Sequence, residues 1–375
     1  LRYVRLVKYL IVKNKTNTIK TKGPSMTKNS NTSFEPLRIG ILGAANIARQ
    51  FIEGVKSSHL LKIDAVASRD KTKAEKFSKE CGLPHFYSGY EELLANPDIE
   101  AVYIPLPNDL HAIWAIKAAE AGKHILCEKP LAVGLAEVRS MFAAAKKHNV
   151  KLAEAYPYMA QHQTIRMVEL LKSDAIGTIQ TVSAAFGFGI VSPDGTPIVD
   201  ASNIRLLADR AGGGLMDAGT YSVSLVRLVA GIRPERVIAT GRFTKTSVDQ
   251  TVVALLEFPN GVLGQISCSM SSSFHRKAMI VGSNGVIETD YSNHAQADGQ
   301  LNLHIKRGVP KTINFEVEKI NAADGFRLEA ESFATWVRTG KGWTGATEQV
   351  SLDVAATLEA IMKSLHSGKY ENVSH

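Results

Sequence analysis

Between Leu37 and about Val150, short apolar runs alternate with amphipathic stretches. "LRIGILG", "KIDAVAS", "AVYIPLP" and "HILCEKP" have strand length, and they are followed by "NIARQFIEGVKSS", "DKTKAEKFSKECG", "DLHAIWAIKAAEAG" and "GLAEVRSMFAAAKKHN", whose apolar positions recur at helical spacing. Strand alternating with helix implies right-handed crossovers and a doubly wound parallel sheet covered on both faces. After "VKLAEAYPY" and the helix-like "TIRMVELLKS" the pattern changes to β-rich runs: "IQTVSAAFGFG", "RVIATGRFT", "TVVALLEF", "VLGQISCSMS", "KAMIVGS" and "GVIETD". "PNG" and "SNG" join two pairs of these runs and signal hairpins, so a mostly antiparallel sheet is expected. Two late helical patterns, "GFRLEAESFATWVRTG" and "SLDVAATLEAIMKSLHSG", are expected to pack back on one of the two halves. The fold class is therefore α/β: a doubly wound parallel sheet over 37–155, then an α+β domain with an open, mostly antiparallel sheet over 156–375.

Composition changes this picture little. With 375 residues, 45% hydrophobic and 21% charged, the chain has material for two domains with a real core. The net charge of +8 invites a nucleic-acid reading, but seven Lys and Arg and no acid fall in residues 1–25, and the remainder stands near +1. No nucleic-acid partner is expected. Residues 1–36 read as a basic, disordered extension with Met26 as a natural start; a mitochondrial presequence is the alternative, disfavoured by the few serines. No apolar run approaches the roughly 20 residues of a membrane span, so a soluble, cytoplasmic protein with no membrane partner is expected. The three cysteines, Cys81, Cys127 and Cys268, and the eleven histidines show no zinc or other ligand spacing, and no metal is expected.

Candidate chemistry begins at "IGILGAANIA". Gly40 and Gly43 lie in a strand-turn-helix junction, where Gly43 admits a pyrophosphate close to the backbone and the N–H groups around Ala45, Asn46 and Ile47 face its charge. Ala45 and Ala48 stand where glycine is often found, so the match to the dinucleotide fingerprint is degenerate. The second strand ends in Ser68 and Arg69 rather than an acid, which suits the 2′-phosphate of NADP; Asp70, in a shifted register, would suit NAD. In "YIPLPNDLH", Pro105 and Pro107 extend the chain along the sheet's carboxyl edge, Asn108 reads as a helix cap, and His111 is either a cofactor-region contact or a packed side chain.

At the end of "HILCEKP", Glu128 and Lys129 reach that same edge, where doubly wound folds bind ligands. Downstream, "GGGLMDAGTYSVSLVRLVAG" places Asp217 and Tyr221 four residues apart, on one helical face. A phenol beside a lysine ammonium is expected to have a lowered pKa, suited to proton exchange with a substrate oxygen.

"LRIGILGAANIA", "AVYIPLPNDLHAIWAIKAAEAGKHILCEKPLA" and "AGGGLMDAGTYSVSLVRLVAG" resemble the glucose-fructose oxidoreductase, inositol dehydrogenase and rhizopine-catabolism (Gfo/Idh/MocA) family, from Leu37 to the C-terminus. The resemblance implies an N-terminal Rossmann domain and an open-sheet domain that often forms an oligomer interface. It implies that Lys129 orients substrate, Asp217 holds substrate hydroxyls and Tyr221 is the acid/base, with Glu128 on the cofactor side, Arg205 placed to meet cofactor or substrate, and Tyr158 on the substrate side. Tyrosine at 221 is similar to the dihydrodiol dehydrogenase, aldose 1-dehydrogenase and sugar ketoreductase branch. "EAYPYMAQHQ" departs from that branch at Met159, Ala160 and Gln161, which bears on substrate identity. The expected activity is NADP-preferring hydride transfer, with NAD as the alternative, to or from a carbon of a sugar or cyclic polyol. A trans-dihydrodiol dehydrogenase and a non-catalytic dinucleotide-binding regulator are the rival readings. A homodimer or homotetramer is expected, because an open sheet exposes apolar surface.

Overall fold

The computed structural model describes residues 34–294 and 299–374. Most of the expected basic extension lies outside these residues. The first half alternates as its periodicity implies: β1 (Leu37–Leu42), α1 (Asn46–Val55), β2 (Leu61–Ala67), α2 (Lys71–Cys81), β3 (His85–Tyr87), α3 (Tyr90–Ala95), β4 (Ala101–Ile104), α4 (Asn108–Glu120), β5 (His124–Glu128), α5 (Leu135–Lys147) and β6 (Leu152–Ala155). The strands form a parallel sheet in the order β3-β2-β1-β4-β5-β6. Strand order reverses between β1 and β4, and that reversal opens a crevice at their carboxyl ends. β3 and α3 escaped the sequence pattern because a three-residue edge strand carries almost no periodic signal.

The chain crosses over through the short α6 (Pro157–Ala160) and α7 (His162–Lys172) into β7 (Ile179–Gly189). A π-helical turn, Leu215–Gly219, leads directly into α8 (Thr220–Ala230). The second sheet then adds β8 (Arg236–Phe243), β9 (Asp249–Glu257), β10 (Leu263–Ser269), β11 (Ser271–Gly282), β12 (Gly285–Thr289), β13 (Gln300–Arg307) and β14 (Glu316–Asn321). Its nine-stranded order is β14-β13-β12-β11-β7-β10-β9-β8-β15, where β15 is Glu371–Asn372, and all pairs are antiparallel except β7 with β10. Both expected hairpins form: Glu257 pairs with Leu263 across the Pro259–Asn260–Gly261 turn, and Gly282 pairs with Gly285 across Ser283–Asn284. β13 and β14 were not anticipated, although β13 buries Leu301, Leu303 and Ile305 in strict alternation.

Both late helices pack back, on different partners. α9 (Gly325–Thr339) buries Phe326, Ala330, Phe333 and Ala334 in the same apolar cluster as Leu37, Ile39 and Phe51, covering one face of the parallel sheet. Phe51 stacks on Tyr103 with ring centroids 4.0 Å apart and meets Phe326 edge-on at 6.0 Å. α10 (Glu348–Ser367) shares the larger core with α8 and the inner face of the antiparallel sheet through Val354, Leu358 and Ile361. Asp324 and Thr347 accept from the first free backbone N–H groups of these helices, and Gly340 and Gly368 close them in left-handed conformations.

Candidate active site

The expected phosphate loop turns at Gly43. Gly43 adopts φ +121°, a region closed to L side chains, and a Cβ there would stand 2.9 Å from Leu106. α1 begins without a side-chain cap and without an acid in its first turn, so among the described residues no side chain accepts from its first N–H groups, those of Asn46 and Ile47. At the tip of β2, Ser68 is buried and Arg69 is exposed. Asp70 is the N-cap of α2, accepting from the Lys73 N–H at 3.1 Å. Asp70 is thus spent on a helix terminus, and the exposed Arg69 beside it carries a positive charge at the tip of β2.

Across the crevice, Pro105 closes β4 as expected, but Asn108 does not cap α4. The Pro107 carbonyl already accepts from the Leu110 N–H, and the Asn108 amide instead donates to the Ala211 carbonyl at 2.9 Å, tying this helix start to the loop before the three glycines. His111 is fully buried, its two ring nitrogens 2.9 Å from the Pro130 carbonyl and 2.8 Å from that of Leu106. Burial pushes its pKa down. A neutral ring donates to one of these carbonyls, joining the β4 and β5 loops.

Those loops and the π-turn bring the expected lysine, aspartate and tyrosine together. Lys129 Nζ lies 2.8 Å from Asp217 Oδ1, 3.3 Å from the Asp217 carbonyl, and 5.0 Å from the centroid of the Tyr221 ring. Arg205 Nε donates to the other Asp217 oxygen at 2.6 Å. Sequence spacing put Asp217 and Tyr221 on one helical face; the π-turn widens the backbone under Asp217, and both still point at Lys129. Gly213 makes the entry to this turn, with φ +113° and no room for a Cβ, which would fall 2.0 Å from Asp249 Oδ1. Asp249 Oδ2 in turn accepts from the Leu215 N–H at 2.6 Å.

Electrostatics divides the roles. Burial disfavours the Asp217 carboxylate, but Lys129 and Arg205 outweigh it and hold Asp217 ionised well below the usual range. Burial likewise opposes the Lys129 ammonium, and Asp217, Tyr221 and Glu128 more than reverse that, so it stays charged. For Tyr221 the expected lowering does not prevail: burial raises its pKa above the ordinary phenol value, while Lys129, Arg276 and the Asn293 amide pull the other way. Tyr221 is therefore protonated at neutral pH, set up as a proton donor.

The remaining expected residues surround this centre. Glu128 is buried and accepts from the Tyr103 hydroxyl at 2.5 Å, and burial raises its pKa. Tyr158 is fully buried behind Tyr221, ring centroids 6.0 Å apart, with its hydroxyl 2.9 Å from Ser224 Oγ. Arg205 meets Asp217, a partner its position in the sequence did not suggest. Two residues went unseen from sequence. Arg276 on β11 lies 4.3 Å above the Tyr221 ring, and Asn293 donates to Tyr221 Oη at 3.3 Å. Both come from a part of the chain with no recognisable motif, and only sheet topology brings them here.

A switch-point crevice with a tight glycine turn at one side and an ammonium, a carboxylate and a phenol at the other is the frame of a dinucleotide-dependent oxidoreductase. The chain belongs to the Gfo/Idh/MocA family: residues 37–156 match the oxidoreductase family with NAD-binding Rossmann fold, and residues 164–288 match the GFO/IDH/MocA C-terminal domain. It is 35% identical over 344 residues to a D-xylose 1-dehydrogenase (NADP(+)) of Haloferax volcanii, covering 88% of this chain and 98% of that one. It is 37% identical over 262 residues to the trans-1,2-dihydrobenzene-1,2-diol dehydrogenase of Mus musculus, covering 67% and 74%. Among solved structures, a 3-ketoreductase from Actinomadura kijaniata in complex with NADP and TDP-benzene superposes with a TM-score of 0.77 at 29% identity, covering 88% of this chain and 98% of that one.

Proposed function

We propose that this protein is an NADP-dependent oxidoreductase that transfers a hydride between the nicotinamide and a carbon of a sugar or related cyclic polyol, of the aldose 1-dehydrogenase or keto-sugar reductase type. The observation that carries this reading is the Lys129 ammonium held between the Asp217 carboxylate and the Tyr221 ring at the mouth of the crevice. The residues present fit the dinucleotide: Gly43 and the uncapped start of α1 for the pyrophosphate, Ser68 and Arg69 for the 2′-phosphate, and the Pro105 and Asn108 loop with Glu128 toward the nicotinamide half. His111 serves this site by holding its loops. When bound, the cofactor supplies the hydride donor or acceptor.

The chain's own residues handle the proton. In reduction a substrate carbonyl oxygen takes the Tyr221 proton as charge develops on it, and Lys129 holds that oxygen and steadies the phenolate left behind. In oxidation the hydroxyl returns its proton to the Tyr221 phenolate. Asp217 fixes the direction of the Lys129 ammonium, with Arg205 holding its second oxygen. The experiment is a screen of aldoses and keto-sugars with NADP(H) and NAD(H), on wild type and Tyr221→Phe. Turnover with NADP(H) that falls by about 10² to 10⁴ in the variant is expected. Dinucleotide binding with no turnover on any of them would favour the regulator, and full activity in Tyr221→Phe would remove the phenol from the chemistry.

Among the described residues no helix is long and apolar enough to cross a membrane. We propose a cytoplasmic homo-oligomer, on the ground that the open sheet face leaves Val253, Leu255, Leu263 and Met279 exposed.

A further inference from the structure

Arg276 is 8% exposed, and its guanidinium lies over four rings: Tyr221 at 4.3 Å, Tyr291 at 4.5 Å, Phe186 at 5.0 Å and Tyr158 at 5.4 Å. Nε and Nη2 are buried with no hydrogen-bond partner among the described residues, and the ring faces stand in for one. Nη1 donates to Asn293 Oδ1 at 3.2 Å.

A guanidinium has donors and no acceptor, so the Asn293 amide must turn its oxygen toward Arg276. Its nitrogen then faces Tyr221 Oη, 3.3 Å away. The Asn293 backbone is held in place as well, because Gln161 Nε2 donates to its carbonyl at 2.7 Å and to that of Ala323 at 2.6 Å. The Tyr221 oxygen accepts on this side, and its own proton is left for the open side, where substrate binds.

We infer that Arg276 and Asn293 are positioning residues for the reaction. They form a one-way donor chain, Arg276 to Asn293 to Tyr221, that aims the Tyr221 proton at the substrate oxygen and stabilises the phenolate once that proton has left. This deepens the function proposed above and rests on Tyr221 being the acid/base. The charged groups that face the phenol are Lys129 and Arg276, which favour its anion, and Glu128, which disfavours it; Arg205, the buried phenols of Tyr103, Tyr156 and Tyr158, and the Phe186 ring also surround it.

The test titrates Tyr221 directly and needs no substrate. Protein grown with a fluorinated tyrosine, whose more acidic phenol titrates below denaturing pH, is followed by fluorine NMR, with the Tyr221 resonance assigned by its loss in Tyr221→Phe. Asn293→Ala and Arg276→Met should each raise the Tyr221 midpoint by about one pH unit, and Arg276→Lys, which keeps charge and donor, should recover most of it. Asn293→Asp, which can only accept, should raise it further. A midpoint unchanged in both Asn293→Ala and Arg276→Met, with folded spectra otherwise like wild type, would overturn the inference. Loss of turnover in Tyr221→Phe alongside unmoved midpoints would sink the donor chain alone, whereas full turnover in that variant would sink the acid/base assignment whatever the midpoints do.

Discussion

Tyr221 shows how one side chain's chemistry is decided by opposing terms. Burial raises its pKa, the two flanking cations and the Asn293 amide lower it, and burial prevails. Glu154 shows the same balance without the cations. It is 1% exposed, Oε1 accepts from the Leu131 N–H at 2.9 Å, and burial pushes its pKa up to about 7 against the hydrogen bonds of Ser351, Leu131 and Tyr156 that favour the carboxylate. Between the ordinary glutamate range and about pH 7 the unfolded chain has released this proton and the folded chain still holds it. Stability from this group is therefore full in acid and is lost as pH rises through that window. Glu154→Gln keeps the acceptor and should flatten the loss, by about 3 kcal/mol between pH 4 and pH 8, read from urea unfolding at several pH values. At Arg69, whose side chain is exposed beside the tip of β2, replacement by Ala should weaken NADP binding about tenfold to a hundredfold and leave NAD binding nearly unchanged, measured by calorimetric titration.

At the level of elements, the π-turn over Leu215–Gly219 positions the carboxylate. It depends on Gly213, where positive φ and the closeness of Asp249 both exclude a side chain. Gly213→Ala should lower stability by about 2 kcal/mol, and it should lower kcat more than it raises the KM for NADP, because Asp217 moves while the phosphate loop does not. Thermal unfolding and steady-state kinetics would show both. Sequence spacing found this segment but described it as plain helix, since i,i+4 neighbours in a π-turn look the same in a one-dimensional pattern. Asn108 was misread for a related reason: a residue suited to capping was present, but the helix had already closed on Pro107, and a carbonyl 103 positions away took the amide.

For the whole molecule, the antiparallel sheet has one face in the core and one exposed face carrying Val253, Leu255, Leu263 and Met279. Sedimentation should give a dimer or tetramer for the wild type and a monomer for Leu255→Lys combined with Leu263→Lys, with NADP binding intact in both. The sequence by itself determined the alternating parallel half and the hairpins at Asn260 and Asn284, and it singled out Gly43, Lys129, Asp217 and Tyr221 as candidates, because each is carried by local periodicity, turn chemistry or a short motif. Tertiary structure alone decided that α9 closes the parallel sheet, that Arg205 shares Asp217 with Lys129, and that Arg276 on β11 and Asn293 in the loop after β12 reach Tyr221. Those contacts join residues from 12 to more than 270 positions apart, and no local propensity encodes which distant side chain the packing will bring to a buried phenol.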